Sequence, residues 1–223
     1  MDDSVFYRDG LGNPFARWSL HAARQRMYDL FIRSMRPDPS ATIVDIGVST
    51  DENDASNFLE KLYPHQQMIT CAGLGDGRAV KQAFPRATFR GIEAGKPLPF
   101  ADGAFDIAYS NAVLEHVGNA DARRRFLSEA LRVARAAFIA VPNAGFPIEH
   151  HTSLPFLHYA PGLFRRALRG TKLDYWTHPA NLDFLSKRLL MAECRDFPPT
   201  RIVPTGLPLG PFSSNLALIW RDG

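Results

Sequence analysis

Short apolar runs alternate with amphipathic segments along most of the chain. The apolar runs predict strands at TIVDI, QMITCA, ATFRGI, FDIAYS, AAFIAVP and NLALIWR, which begin at residues 42, 67, 87, 105, 136 and 215. Helical periodicity predicts helices at ARQRMYDLFIRSM, DASNFLEKLY, GRAVKQAF, NADARRRFLSEALRVA and ANLDFLSKRLLMAE, which begin at residues 23, 54, 77, 119 and 180. Strands that alternate with helices in this way are typical of a parallel, doubly wound α/β sheet.

Two of these helices have a clear apolar face. The first places Met27, Leu30, Phe31 and Met35 on one side. The helix near residue 120 turns inward Phe126, Leu127, Ala130, Leu131 and Ala134, with Asn119 or Asp121 as its N-cap. Both helices are therefore expected to pack on the sheet.

The periodicity is lost after Pro142. Residues 143–180 hold four of the seven histidines and several aromatic residues. A long irregular connection inside a compact domain is usually functional. Within it, Pro161 can start a helix that places Leu163, Phe164, Ala167 and Leu168 on one face and Arg165, Arg166 and Arg169 towards the other. This helix is either surface structure or a cover over a binding site for an acidic molecule or a membrane surface.

Length and composition fit one soluble α/β domain. The chain has 223 residues, 45% of them hydrophobic, and a formal net charge of +3, so no strong nucleic-acid interaction is indicated. The start of the sequence shows no secretory signal, and no apolar run reaches the roughly 20 residues that span a bilayer. Cys71 and Cys194 are far apart, which favours two lone buried thiols in a reducing cytoplasm.

The stretch IVDIGVSTDEND, residues 43–54, runs from a buried strand into a candidate nucleotide-binding loop. A loop of the form D-x-G-x-G-x-G would place glycines at 49 and 51, where Ser49 and Asp51 stand; a helix cap at Asp51–Asn53 is one use for them. Gly47 keeps the first glycine, while Val48 should hold an ordinary φ angle. The loop either contacts a cofactor or is a ligand-free turn.

The stretch LPFADGAFDIAYSNAVLEHV resembles the fourth-strand region of class I S-adenosylmethionine (SAM)-dependent methyltransferases of the bacterial type 11 kind. The matching landmarks are Leu98, Pro99, Phe100, Asp102, Phe105, Asp106, Leu114, Glu115 and His116. The resemblance covers about residues 25–145. It implies a doubly wound, Rossmann-like, mostly parallel seven-stranded sheet with a final antiparallel hairpin. The whole chain, 1–223, would be one domain, with a helical segment at 1–36 and an acceptor-side insertion or lid at 143–180.

The resemblance also implies that SAM lies across the carboxyl ends of the strands, as in other open α/β sheets. The implied cofactor-binding residues are Asp45, Gly47, Val48, Ser49, Gly73, Glu93, Ala94, Asn111 and Ala112. Gly73 stands where the family usually has the acid that binds the ribose, and Asp76 is a possible substitute. Gly73, Gly75 and Gly77 also hint at a dinucleotide loop, but Arg78 breaks the G-x-G-x-x-G pattern.

Methyl transfer to an oxygen requires a base, and histidine suits that task near neutral pH. The candidate catalytic residues are His150, His151 and His116, with Glu149 and His158 nearby in sequence. His116 has an alternative role as a packing residue at a helix start. An adjacent histidine pair with one glutamate, and no second cluster at ligand spacing, does not predict a metal site.

The sequence therefore predicts a SAM-dependent methyltransferase that acts on oxygen in a small-molecule, sugar or lipid-linked acceptor. The alternative is a non-catalytic interaction or regulatory module whose altered loop has lost the cofactor. An NAD-dependent oxidoreductase is disfavoured because the first strand lacks the glycine fingerprint. An acidic acceptor and a peripheral membrane contact stay open, and the sequence says nothing of the oligomeric state.

Overall fold

The computed structural model describes residues 14–49, 56–179 and 181–221, with side chains from residue 18 onward. The strands are β1 (Ile43–Ile46), β2 (Ile69–Gly73), β3 (Thr88–Gly91), β4 (Phe105–Asn111), β5 (Ala134–Pro142), β6 (Arg201–Leu209) and β7 (Phe212–Trp220). The α-helices are α1 (Pro14–Met35), α2 (Phe58–Leu62), α3 (Arg78–Ala83), α4 (Ala120–Val133), α5 (Pro161–Leu168) and α6 (Lys187–Glu193). Short 3₁₀ turns occur at Gln66–Met68, Leu114–His116, Leu157–Tyr159 and Asp174–Thr177.

The strands form one seven-stranded sheet in the order β3-β2-β1-β4-β5-β7-β6. The first five strands pair in parallel, and β7 is antiparallel to both β5 and β6. The strand order reverses its direction next to β1, so β1 and β4 flank the position where open α/β sheets bind ligands. The predicted doubly wound sheet and its antiparallel hairpin are confirmed.

Alternate residues of the strands pack in two separate hydrophobic cores, one on each face of the sheet. Ile43 of β1 packs in the core under α1, whereas Val44 packs in the core under α4 and α6. In the first core the rings of Tyr109 and Phe138 stack with centroids 5.8 Å apart, and Phe31 of α1 meets Tyr109 edge-on at 5.2 Å. These cores bury both faces of the parallel strands, which explains their near-continuous apolar runs.

The predicted elements are present, with two differences in the last third. The helix predicted from residue 180 begins only at Lys187, where Ser186 caps it by accepting the Leu189 N–H at 3.2 Å. Strand β6 was not predicted from its residues because Pro204 and Pro208 interrupt the run. Prolines are tolerated there because β6 is the edge strand and needs hydrogen-bond donors on one side only.

The buried face of helix α5 is narrower than the apolar face that its sequence predicts. Phe164 and Leu168 are buried, but Leu163 and Ala167 are exposed together with Arg165 and Arg166. Cys71 and Cys194 are buried free thiols, as expected. Among the described residues, no helix combines the length and apolar character needed to cross a membrane.

Candidate active site

Gly47 turns the chain at the carboxyl end of β1. Its φ angle is +94°, and its N–H donates to the Ala72 carbonyl at 2.7 Å. A Cβ atom built on Gly47 would lie 2.4 Å from Cγ2 of Val113, in the loop after β4. Glycine is therefore required for the close approach of two strand-end loops, whereas the sequence suggested a ligand as the reason. Val48 has no positive φ angle, as expected.

Gly73 ends β2 beside the same turn. A Cβ on Gly73 would lie 2.7 Å from Cγ2 of Val48. A side chain at this position would require Val48 to move, which is a physical reason for glycine where the family usually has its ribose-binding acid. Asp76, the possible substitute, is exposed and pairs with Arg78 at 2.6 Å.

The side chain of Asn57 holds the backbone of Ser49 through two hydrogen bonds. The Asn57 side chain accepts the Ser49 N–H and donates to the Ser49 carbonyl, both at 2.9 Å. These two bonds tie Ser49 to Asn57, the N-cap residue of α2. Asp51 and Asn53, proposed above as a helix cap, lie outside the described residues.

Asp45 is buried within β1 and faces the core under α1. Burial, followed by the neighbouring Glu60 carboxyl, raises the pKa of Asp45 well above its usual range. The Cys71 thiol donates to Glu60 at 3.3 Å. Asp45 therefore belongs to the buried interior below the strand end.

Glu93 and Ala94 lie in an exposed turn just after β3. The Glu93 carbonyl accepts the Lys96 N–H at 3.2 Å, which closes the turn. Both residues are at the carboxyl edge of the sheet, the edge implied for the adenine, with their side chains open to solvent.

Asn111 is the last residue of β4, and its side-chain carbonyl oxygen, Oδ1, is buried. Among the described residues this oxygen has no hydrogen-bond partner. Ala112, the next residue, adopts a φ angle of +55°, which is uncommon outside glycine. A buried acceptor without a partner requires explanation, and a ligand with a hydrogen-bond donor supplies one.

His116 and His151 meet beyond the ends of β4 and β5. Their Nε2 atoms are 3.3 Å apart, and their rings lie edge to face at 5.0 Å. Trp176 covers both rings, with centroids 4.6 Å from His151 and 5.9 Å from His116. The two histidines are 35 positions apart in sequence, so no local pattern could have predicted their contact.

The opposite ring nitrogens of this pair are fixed by acceptors. His116 Nδ1 lies 2.6 Å from the Asn181 carbonyl, and His151 Nδ1 lies 2.9 Å from a Glu149 oxygen. Glu149 also accepts the Thr152 N–H and hydroxyl, at 2.6 and 2.7 Å. Although burial opposes it, the contacts with His151 and Thr152 lower the Glu149 pKa from its ordinary 4.5 to about 2. Because Glu149 accepts the hydrogen on Nδ1 of His151, the lone pair of this ring lies on Nε2 and faces His116.

The other histidines have structural contacts. His150 Nε2 lies 2.9 Å from the Ser214 carbonyl, and burial, with help from His151, lowers the His150 pKa to about 4. His158 Nε2 lies 3.2 Å from the Ala144 carbonyl. A cavity beside the His116–His151 pair is lined by residues that include Asn143, Ile148, His150, His151, His158 and Phe184.

Glu115 completes the cluster. Its side chain is 1% exposed, and neither carboxylate oxygen has a hydrogen-bond partner among the described residues. One of these oxygens lies 3.8 Å from His116 Nε2. Burial raises the Glu115 pKa, while His116 and His151 oppose the rise. The sequence interpretation named Glu115 only as a landmark and missed its place beside two histidines.

Residues 64–137 match a family model described as a methyltransferase domain. The match runs from just before β2 into β5 and includes the Asn111 strand end and the Glu115–His116 turn. The matched residues are about a third of the chain, and the seven-stranded sheet around them has the class I SAM-dependent methyltransferase fold. The chain is an enzyme, and S-adenosyl-L-methionine is its cofactor. The family match thus favours the enzyme over the non-catalytic module.

Solved structures share the fold of this methyltransferase at low sequence identity. A SAM-dependent methyltransferase from Aquifex aeolicus is 13% identical to this chain, with a TM-score of 0.59. The aligned region covers 98% of this chain and 97% of the Aquifex chain. A possible histamine N-methyltransferase from Thermotoga maritima is 17% identical with 98% of both chains covered and a TM-score of 0.54. The third structure is the Burkholderia thailandensis 1,6-didemethyltoxoflavin-N1-methyltransferase with bound 1,6-didemethyltoxoflavin and S-adenosylhomocysteine. It is 18% identical to this chain, with a TM-score of 0.53, and the aligned region covers 98% of this chain and 85% of the Burkholderia chain. No curated protein sequence matches the chain.

The residues at the carboxyl edge fit the cofactor. The unpartnered Asn111 oxygen can accept a hydrogen bond from the ammonium group of SAM, and the turn at Gly47 leaves backbone groups at the same edge. The end of β2 offers no carboxylate at the matching position, because Gly73 stands there beside Val48.

Proposed function

We propose that this methyltransferase transfers the methyl group of SAM to a hydroxyl oxygen of a small-molecule, sugar or lipid-linked acceptor. The observation that carries the proposal is the Glu149–His151 pair beside the end of β5. Buried Glu149 holds Nδ1 of His151 and so directs Nε2 of the same ring towards His116. A hydroxyl must lose a proton as it attacks the methyl group, and an oriented imidazole suits that task.

The three candidate histidines receive different roles in this proposal. His151 is the base because its Nε2 faces the space shared with His116. His116 lines the same space and positions the acceptor. His150 supports the cavity wall, because its Nε2 already bonds to the Ser214 carbonyl.

SAM supplies an activated methyl group, so most of the remaining catalysis is positioning. We assign cofactor contacts to Asn111, Ala112 and the turn from Gly47 to Ser49, with Glu93 and Ala94 at the adenine end. Asp45 and Gly73 contribute by shaping the strand ends: Asp45 is paired below the sheet with Glu60, and Gly73 makes room for Val48.

The acceptor would enter from the side covered by residues 143–180. Helix α5 lies over this side: Phe164 meets Phe184 at 5.3 Å, and Phe184 meets His158 of the cavity wall at 5.7 Å. Arg165 and Arg166 are exposed on the same helix. Exposed guanidinium groups next to the cavity favour an acceptor with a carboxylate or phosphate group. The two buried free thiols support a reducing compartment, for which we propose the cytoplasm.

A transfer assay with SAM and a panel of hydroxyl-bearing, anionic acceptors tests the proposal. Products gain the mass of one CH₂ group, and the carbon–oxygen linkage is located by nuclear magnetic resonance. We expect His151→Gln to lower kcat by about 10²–10⁴-fold. S-adenosylhomocysteine affinity should be unchanged, because His151 is not assigned to the cofactor.

His178→Gln is the matched control, since His178 is an exposed histidine in the same irregular segment. It should behave like the wild type. Products methylated on nitrogen, or a His151→Gln variant with the kcat of the control, would contradict the proposal.

A further inference from the structure

The side chains of Glu115, His116 and His151 offer three donor atoms within 4.8 Å of one another. Two are imidazole nitrogens 3.3 Å apart, and the third is a carboxylate oxygen 3.8 Å from His116 Nε2. Donor atoms that share one Zn²⁺ at about 2.1 Å in a tetrahedron lie about 3.4 Å apart. The His116–His151 and Glu115–His116 separations are therefore close to those of a mononuclear site, and the third separation lies within 4.8 Å.

The protonation of the two rings strengthens this interpretation. His116 Nδ1 faces the Asn181 carbonyl, which can only accept, so this nitrogen carries the hydrogen. His151 Nδ1 faces the Glu149 carboxylate and carries a hydrogen for the same reason. In the neutral rings both Nε2 lone pairs then point into the same space. Lone pairs at 3.3 Å repel each other unless a cation or proton lies between them.

The same contacts are the outer interactions that metal-binding histidines commonly have. Such histidines donate their other ring N–H to a carboxylate or a backbone carbonyl, which fixes the ring and raises its basicity. His151 has the carboxylate and His116 has the carbonyl.

Glu115 gives an independent indication. Its carboxylate is almost fully buried, and neither oxygen has a hydrogen-bond partner among the described residues. Burying a carboxylate without partners is costly, and a bound cation removes that cost.

We propose that Glu115, His116 and His151 bind one divalent transition-metal ion, with Zn²⁺ as the reference ion. Two imidazole nitrogens and one carboxylate oxygen are ligands that suit Zn²⁺ and Fe²⁺, whereas Mg²⁺ prefers oxygen ligands alone. Three protein ligands leave at least one coordination position for an exchangeable ligand.

The chemical role of the ion rests on the proposed function, although its binding does not. An acceptor hydroxyl on the open position would have a lowered pKa. With the ion bound, Nε2 of His151 would be a ligand, and the ion would replace the imidazole as the group that activates the hydroxyl. Methyl transfer that survives complete chelation would leave His151 as a direct base and overturn this role.

Zn²⁺ titration of the chelator-treated chain tests the site in the absence of SAM and acceptor. Isothermal titration calorimetry should give one Zn²⁺ per chain, with no binding of Mg²⁺ at the same concentrations. Co²⁺ should give visible absorption bands that Zn²⁺ displaces. Because no methyl transfer is measured, failure of the metal site and failure of the proposed function give separate results.

Variants assign the ligands. His116→Gln and Glu115→Gln should each lose stoichiometric Zn²⁺ binding, whereas the control His178→Gln keeps it. Glu149→Gln should weaken binding by about 10–100-fold, because Glu149 only orients His151. Circular dichroism identifies any variant that does not fold. A wild-type chain that binds no Zn²⁺ or Co²⁺, or folded Glu115 and His116 variants that bind Zn²⁺ like the control, would overturn the site.

Discussion

At the scale of single residues, Gly47 connects the cofactor loop to the histidine side of the molecule. Its positive φ angle and the nearness of Val113 are two separate reasons for glycine. A side chain in this φ region costs about 1–3 kcal/mol, and the contact with Val113 adds to that cost. The two reasons can be separated by mutation.

We predict that Gly47→Ala lowers the free energy of unfolding and that Val113→Ala in the same chain recovers part of the loss. The new Cβ would otherwise lie 2.4 Å from Val113 Cγ2. Urea unfolding of both single variants and the double variant should give a coupling of about 0.5–3 kcal/mol. Additive effects would mean that Val113 does not restrict this position.

Single residues also show how far the sequence alone could lead. The strand end at Asn111 and the histidines at 116 and 151 were identified from motifs and residue type. The packing partners of Gly47 and Gly73 could not be, because Val113 and Val48 come from other loops. The contact between His116 and His151 depends in the same way on how the irregular segment folds back.

At the scale of elements, helix α4 supports the cluster through a buried ion-pair network. Arg123 of α4 donates to Glu193 of α6 at 3.0 Å and to Asp183 at 2.6 Å. The Asp183 N–H in turn donates to the Glu115 carbonyl at 2.9 Å. Segment 181–185 is thereby held against the Glu115–His116 turn, which explains why this segment is not helical.

Arg123→Leu should therefore destabilise the protein by about 3–5 kcal/mol, because Glu193 would be left buried without its cation. Arg125→Leu on the exposed side of the same helix is the matched control and should change stability by less than about 0.5 kcal/mol. Urea unfolding compares the two variants. Equal effects would show that the network adds nothing to stability.

The periodicity of α4 predicted its apolar face but gave no sign that Arg123 is buried, since a charged residue there usually faces solvent. Similarly, the order of strands and helices predicted the parallel sheet, whereas β6 could be expected only from the family resemblance. Its prolines contradict local strand propensity, and only its edge position makes them acceptable.

At the scale of the whole molecule, the parallel sheet brings two sites to one edge. In the proposed function, the ends of β1 and β4, with Gly47 and Asn111, form the cofactor side. The segment beyond β5, with the histidine cluster, forms the acceptor side. Alternation of strands and helices predicts this edge as the active-site edge. It could not predict the acceptor, because residues 143–179 have no regular pattern that a chemical class would impose.

The central claim is that SAM binds at the end of β4 and presents its methyl group to the histidine cluster. Isothermal titration calorimetry with S-adenosylhomocysteine tests it most directly. We predict one site per chain, and a melting shift that corresponds to about 2.7 kcal/mol at 100 times the Kd. Asn111→Leu should weaken binding by about 10–100-fold, because the hydrogen bond to a charged group contributes about 1.5–3 kcal/mol. His151→Gln should bind like the wild type. Absence of binding, or equal affinities for the wild type and Asn111→Leu, would contradict the account.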